Sequence, residues 1–325
     1  MRVSIETSDS PDIAYRIRRA VQAYEVPDIP FMTEKAFKAG ILHPPPGLVI
    51  ERYLGLLDGE PVGYLELELF QLDNLTNAHV EIEVLPEHRR RGVGRALYEL
   101  MLERAAAHDR KHIIGSTVDT HPDGAAFARA MGSVAGLEDT RSRLDLTGLD
   151  EAHLAKLRAD ALSHAEGYRT IEWLGVPADD IIDDVAYLEG RLLADAPTGD
   201  IAWEPEKIDA DRLRADEEAR QKRGRLSYCA GALQGDKLVA WTAIAGELAQ
   251  PAHAWQQTTL VDPDHRGHRL GMLVKLANLD NVRRNRPGIQ AIDTFNASQN
   301  EYMLRINRAM GFRAAGIETE WQHDL

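Results

Sequence analysis

The stretch "PEHRRRGVGRALYE" (residues 86–99) gathers three arginines and two glycines between a β-like run, His79 to Leu85, and a helix-like run, Gly94 to Ala107. The first N–H groups of a helix lack partners and carry about half a positive charge, so an anion binds there readily. Glycine lets the backbone approach the anion, and arginine adds charge-assisted hydrogen bonds. Arg89-x-x-Gly92-x-Gly94 after a strand therefore suits a diphosphate. Neither standard nucleotide fingerprint fits: there is no Gly-Lys-Ser/Thr, and a Gly-x-Gly-x-x-Gly reading fails at Leu97. On the strand before the turn, His79, Glu81 and Glu83 alternate with Val80, Ile82 and Val84, which puts three titratable groups on one face. Such side chains take and give protons.

A near copy of the turn, "PDHRGHRLGMLVKL", follows at 263–276. Arg89 and Arg266 are 177 positions apart (266 − 89), as are Gly94 and Gly271 (271 − 94). Upstream, the hairpins "LGLLDGEPVGYLELEL" (54–69) and "GALQGDKLVAWTAIAG" (231–246) keep the same offset between their turns, Asp58-Gly59 and Gly235-Asp236. Two different motifs at one spacing imply a duplicated domain, and 325 residues suit two domains of ordinary size. Each half reads as amphipathic helices, hairpin, long strand, helix, strand, helix and terminal strands. That order is mixed α/β, an α+β mixed sheet with an antiparallel front half and a βαβ crossover at the motif. The boundary is expected between 145–159 and 167–177, giving domains 1–150 and 165–325. The helical region "ADDIIDDVAYLEGRLL" with "DADRLRADEEARQKRG" carries charges every few residues and predicts a solvated helix pair without catalytic content.

A formal net charge of −14 argues against wrapping nucleic acid and favours cationic small molecules. With 44% hydrophobic and 28% charged residues, no apolar leader and no uncharged stretch of the ~20 residues a membrane span needs, a cytoplasmic globular protein is expected. The single Cys229 rules out an internal disulfide and reads as a buried small residue, and no His/Asp/Glu cluster has metal-ligand spacing, so no metal is expected.

The residues "VLPEHRRRGVGRALYELMLERA" resemble the signature of the GNAT superfamily of acyl-CoA-dependent N-acyltransferases, Arg/Gln-x-x-Gly-x-Gly/Ala after a strand ending "V-x-P". Because both halves share it, nearly the whole chain resembles a tandem GNAT protein. The resemblance implies acetyl-CoA as the acyl donor. It places the backbone at Val84 and Leu85 against the pantetheine and thioester carbonyl, and Arg89, Arg90, Arg91, Gly92, Val93 and Gly94 around the pyrophosphate, with Arg95 beside them. In the second copy it implies Val261, Arg266, Gly267, His268, Arg269, Leu270 and Gly271, followed by Asn296 and Asn300 in "TFNASQNEYM". That copy departs from the pattern where Arg269 replaces Gly92. A bulky residue there is expected to crowd a diphosphate, although Arg269 and His268 could also hydrogen-bond one.

The reaction the resemblance implies is direct attack of a neutral amine on the thioester, which needs a base, a polarising N–H and an acid. Glu81 and Glu83 are the candidate bases, with His79 behind them; the polar side of an amphipathic strand is the alternative. Read at the same offset, the second copy offers Gln256, Thr258 and Leu260 and no base, so catalysis is expected in the first copy and a binding or structural role in the second. The family's tyrosine four residues before the closing glycine is replaced by Ala128 and Asn307, and Tyr302, one turn earlier, is expected in the core. His88 and His265 are expected to pack or cap. Acidic and aromatic residues in 22–32 (Tyr24, Glu25, Asp28, Phe31) and 194–206 (Asp195, Asp200, Trp203, Glu204) suit a small-molecule amine acceptor. Two alternatives stand: a catalytic second domain with the first as scaffold, and a CoA-binding or interaction protein without turnover.

Overall fold

The structure is a computed structural model that describes residues 2–8 and 10–325. Its first half runs β1 (Val3–Thr7), α1 (Pro11–Glu25), α2 (Glu34–Leu42), β2 (Leu48–Leu57), β3 (Glu60–Phe70), β4 (Asn77–Val84), α3 (Val93–Ala107), β5 (His112–Val118), α4 (Pro122–Ala130) and β6 (Val134–Asp145). The second runs α5 (Glu151–Ser163), β7 (Tyr168–Leu174), α6 (Ile182–Glu189), α7 (Leu192–Asp195), α8 (Ala210–Lys222), β8 (Arg225–Gln234), β9 (Lys237–Glu247), β10 (His253–Val261), α9 (Leu270–Asn285), β11 (Ala291–Ala297), α10 (Glu301–Met310) and β12 (Arg313–Asp324).

Two compact units result, and they do not follow a cut between 150 and 165. Unit 1 is Met1–Asp139 with Thr198–Glu204 and Gly316–Leu325; unit 2 is Thr140–Pro197 with Pro205–Ala315. The reason lies in backbone pairing. The end of β12 runs antiparallel to β5 from Glu318↔Val118 to Asp324↔His112, and the buried Trp321 donates its indole N–H to Thr117 Oγ1 at 2.8 Å. The 198–204 segment is tied to the same unit: Asn77 donates to the Ala202 carbonyl at 2.6 Å, and the Glu204 N–H donates to Asn74 Oδ1 at 2.8 Å.

Within unit 1 the strand order is β1-β2-β3-β4-β5-β12, antiparallel except for the parallel β4–β5 pair. Within unit 2 it is β6-β11-β10-β9-β8-β7, with β10–β11 parallel and β7 to β10 antiparallel. The mixed sheet and the crossover at each motif thus match the sequence reading.

Helix α3 buries Val93, Leu97, Met101 and Ala105, spaced four apart, against the unit 1 core. Gly55 and Gly63 let it approach: a Cβ at either would lie 2.7 or 2.8 Å from Val93 Cγ1. These two glycines set how close the α3 N-terminus lies to the sheet. In unit 2 the segments 178–193 and 209–224 depart from the solvated pair expected of them. Val185 and Leu188 are in the core and Glu217 is 7% exposed, because the acidic residues share helix faces with apolar ones four positions away.

Candidate active site

The parallel β4–β5 ladder runs Asn77↔His112, Ala78↔Ile113 and His79↔Ile114, while β4 continues to Val84 and β5 to Val118, so the strand ends share no ladder. The chain then makes a 3-10 turn, Pro86–His88, and enters α3 through Arg90 (φ 61°) and Gly92 (φ 89°). The first bond of α3 is Ala96 N–H to the Gly92 carbonyl at 3.0 Å, which leaves the N–H groups of Val93, Gly94 and Arg95 outside the helix ladder. They border a cleft of about 360 Å³ lined by Val84, His88, Gly92, Gly94, Phe127 and Met131 among others. His88 Nδ1 is buried there without a hydrogen-bond partner. Helix-end donors, a left-handed glycine and an unused imidazole nitrogen fit an acyl-CoA diphosphate.

Arg89 is already engaged. Its Nε donates to the Val84 carbonyl at 3.1 Å and its Nη2 to Glu25 Oε1 at 2.5 Å, and Nη1 lies 3.6 Å from Asp123. It fastens α1 and the start of α4 to the turn, leaving Arg90, Arg91 and Arg95 exposed. The Leu85 N–H is donated to the Val62 carbonyl at 2.9 Å, so it is not free to polarise a thioester. Successive N–H groups of a strand point to opposite edges, so the Val84 N–H faces the β5 side, where the ladder has ended.

His79, Glu81 and Glu83 share one face, as the alternation predicts, opposite Glu68, Glu66 and Tyr64 of β3. Sequence reading missed what α1 brings to that face. Arg18 pairs with Glu81, and lies 3.4 Å from Glu83 and 3.6 Å from Glu66. Glu66 also accepts from Arg52 at 2.7 Å and from the Tyr64 hydroxyl at 2.7 Å. Burial pushes the Glu83 carboxyl up to about 7; Arg18 opposes this, and Glu81, Glu25 and Glu66 add to it. Burial opposes the charge of His79, but Glu68 at 3.3 Å, Glu81 and Glu320 outweigh it and raise its pKa.

In unit 2 the same two turn positions are left-handed, Gly267 (φ 90°) and Arg269 (φ 53°), so glycine and arginine have exchanged places on one backbone shape. The protein itself leaves room for a side chain at this turn position. A Cβ at the equivalent Gly92 would meet nothing nearer than Val3 Cγ2 at 4.0 Å, and the Arg269 guanidinium pairs with Asp160. Arg266 is held by Asp195 at 2.9 Å, much as Glu25 holds Arg89. His268 Nδ1 lies 3.3 Å from the His164 carbonyl, and His265 bonds the Tyr168 hydroxyl at 3.0 Å. Val261 ends β10 beside Asp262, whose N–H donates to the Val239 carbonyl at 2.8 Å, and Leu270 and Gly271 open α9.

Asn300 caps α10 by accepting from the Met303 N–H at 3.2 Å, and Asn296 accepts from Asn307 at 2.7 Å, so both amides serve the fold. Tyr302 is 53% exposed rather than in the core. The face Gln256–Thr258–Leu260 is broken by a one-residue bulge between Gln256 and Thr259, which turns residues before it to the other face. Gln256 is buried, donating to Thr242 Oγ1 and the Ala243 carbonyl. Although β10 carries no carboxylate, α6 supplies one: Thr258 donates to Glu189 Oε1 at 3.3 Å. Its signal was readable, since Glu189 lies four residues after the buried Val185. The acidic and aromatic residues of 22–32 and 194–206 have local partners. Tyr24 stacks on His121 at 4.2 Å, Phe31 packs on Tyr15, and Asp195 lies in unit 2 while Asp200, Trp203 and Glu204 lie in unit 1.

Residues 14–132 match the acetyltransferase (GNAT) family. The mycothiol acetyltransferase of Clavibacter sepedonicus is 29% identical over 256 residues, 74% of this chain and 71% of that one. A tandem GNAT protein from the clavulanic acid biosynthesis pathway superposes with a TM-score of 0.80 at 27% identity, covering 99% of this chain and 98% of its own. A GCN5-related N-acetyltransferase from Sphaerobacter thermophilus shares the fold, with a TM-score of 0.70 at 14% identity over 99% of this chain and 95% of its own. No helix among the described residues is long and apolar enough to cross a membrane.

Proposed function

From the match of residues 14–132 to the acetyltransferase (GNAT) family and the likeness of 99% of the chain to a tandem GNAT protein, we propose that the chain is a GNAT acyltransferase whose unit 1 moves acetyl from acetyl-CoA to a primary amine of a small molecule. The observation that carries this reading is Glu83, a partly buried carboxyl (19% side-chain exposure) that desolvation pushes up to about 7, one residue before the Val84 N–H. A base poised near neutrality takes a proton efficiently without being permanently charged. Acetyl-CoA supplies an acyl group activated as a thioester. The N–H groups of Val93, Gly94 and Arg95 bind the anionic end of that donor, and the Val84 N–H polarises the carbonyl. Glu83 takes the proton of the ammonium, directly or through water, so that the amine attacks in a ternary complex. Arg18 keeps the carboxyl from rising further and orients it. No side chain is assigned as the acid: Ala128 stands where the family's tyrosine would, so the leaving thiolate is protonated by solvent or substrate.

A second reading, with unit 2 catalytic and unit 1 a donor-binding scaffold, draws support from the bond between Glu189 and Thr258 and from the likeness to mycothiol acetyltransferase. Thiol release from acetyl-CoA across a panel of small amines separates the two. Loss of acceptor-dependent release in Glu83→Gln supports unit 1, and full retention moves the chemistry out of it. Calorimetric titration with acetyl-CoA gives the number of donor sites independently of the acceptor.

A further inference from the structure

Unit 2 holds a cavity of about 170 Å³ against β7 to β10, bordered by α6 and α8 and separate from the motif turn. Its lining includes Trp173, Trp241, Glu189, Glu217, Ser227 and Thr258. Each of the two glutamates has one oxygen fixed and one unused. Glu189 Oε1 accepts from Thr258 at 3.3 Å, and Glu217 Oε2 accepts from Ser227 at 2.8 Å and Arg220 at 3.2 Å. Glu189 Oε2 and Glu217 Oε1 are buried with no hydrogen-bond partner, and so are the indole nitrogens of Trp173 and Trp241. Glu217 is 7% and Trp241 8% exposed, so these orphaned groups are in the interior, where an unmade hydrogen bond is costly.

Two acceptors and two donors left over in one cavity define the complement of a ligand. It brings hydrogen-bond donors to the carboxylates and an acceptor to the indoles. The carboxylates of the lining, Glu189, Glu206, Asp216 and Glu217, outnumber its arginines, Arg212 and Arg220, so the complement is cationic. The rings of Trp173 and Trp241, 6.4 Å apart and 21° from parallel, offer an apolar wall. A cavity slightly larger than the ~150 Å³ that accepts benzene holds a body of roughly six to eight non-hydrogen atoms. We propose that this cavity binds a compact amino alcohol, its ammonium between Glu189 and Glu217 and its hydroxyl accepting from the indole N–H groups. Burial already raises the pKa of Glu189, to about 7, and that of Asp216, a strain that a bound cation relieves. The site does not depend on acetyl transfer in unit 1, and it stands if unit 1 proves inactive.

The test is calorimetric and fluorescence titration of the full chain with three probes. They are trans-2-aminocyclohexanol, cyclohexylamine, which lacks the acceptor, and cyclohexanol, which lacks the cation. The amino alcohol is expected to saturate with one equivalent, at least tenfold tighter than either probe, and to change the tryptophan emission in wild type by more than in Trp241→Phe, where Trp173 alone remains in the wall. Glu189→Gln and Glu217→Gln should each weaken it at least tenfold, and Thr258→Val, which only frees Glu189 Oε1, several-fold. Equal binding of cyclohexanol, or no saturation at millimolar concentration, leaves a solvent-filled cavity and overturns the proposal. The probe comparison needs no variant, so a Glu189→Gln chain that fails to fold does not shield it.

Discussion

Glu83→Gln tests the site most directly, because the glutamate leaves two signatures of opposite sign. In the folded chain its carboxyl is held at about 7 against an ordinary 4.5, so between those values the native state binds more protons than the unfolded one. Stability therefore falls as pH rises through that window, by up to about 3.5 kcal/mol at ~1.4 kcal/mol per pKa unit. Activity runs the other way. Only the ionised carboxylate accepts a proton, so kcat/KM should rise about tenfold per pH unit below 7 and level off above it. Glutamine removes both contributions: the decline of the urea-unfolding free energy between pH 4.5 and 7 becomes shallower by the share of Glu83, leaving that of Glu189, and turnover drops by roughly 10²–10⁴. Arg18→Met should carry the activity limb to higher pH, since the guanidinium 3.4 Å away opposes the rise of the carboxyl. A wild-type unfolding free energy flat across this range, or a Glu83→Gln enzyme with undiminished turnover, would refute the assignment.

Gly92→Arg, which installs the residue found at the matching position of unit 2, should cost about 1–2 kcal/mol in urea unfolding. The charge is for left-handed backbone at φ 89°, since space for the side chain is available; a loss above ~4 kcal/mol would show a steric clash instead. Asp293, fully buried, accepts from Arg143 at 2.6 and 2.7 Å and from His253 at 3.0 Å; burial opposes its ionisation, but these partners hold its pKa below the ordinary value. Its stabilisation is therefore complete above the unfolded Asp pKa and lost in acid. Asp293→Asn should cost about 3–5 kcal/mol at neutral pH, with the difference shrinking as pH falls, and a pH-independent difference would contradict this. Arg286, 4% exposed, donates to the carbonyls of Glu247, Pro251 and His253 at 2.7 to 3.0 Å. Arg286→Met, which strands those acceptors, should lower the unfolding free energy by at least about 3 kcal/mol.

The turns, the hairpins and the crossovers were legible because each is written in adjacent residues: a glycine at a left-handed position, an Asp-Gly pair, apolar residues at one period. The proton-carrying face of β4 was legible for the same reason, as strict alternation. Three features were not. The β10 bulge adds one residue without disturbing composition, so superposing the copies by number put Gln256 and Thr258 on one face. Arg18 belongs to a helix read only as amphipathic, and nothing in its local spacing says which strand it will meet. Pairing of β12 with β5 joins residues about two hundred positions apart, beyond the reach of any local pattern. Glu189 and Glu217 are different, since their carboxylates fall on helix faces that carry Val185 and Leu213 four positions earlier. Reading face by face rather than charge by charge would have picked them out.

The place of Gly316–Asp324 beside β5 bears on how the chain is made. Translation lays down β1 to β5 early, yet the strand that takes up the free edge of "HIIGSTV" leaves the ribosome only after all of unit 2. For that interval nascent unit 1 shows bare backbone donors and acceptors to its neighbours on the polysome, a template for mispairing. A fragment ending near residue 150 would keep that edge open for good. A purification tag fused after Leu325 would likewise act on the unit whose synthesis began first.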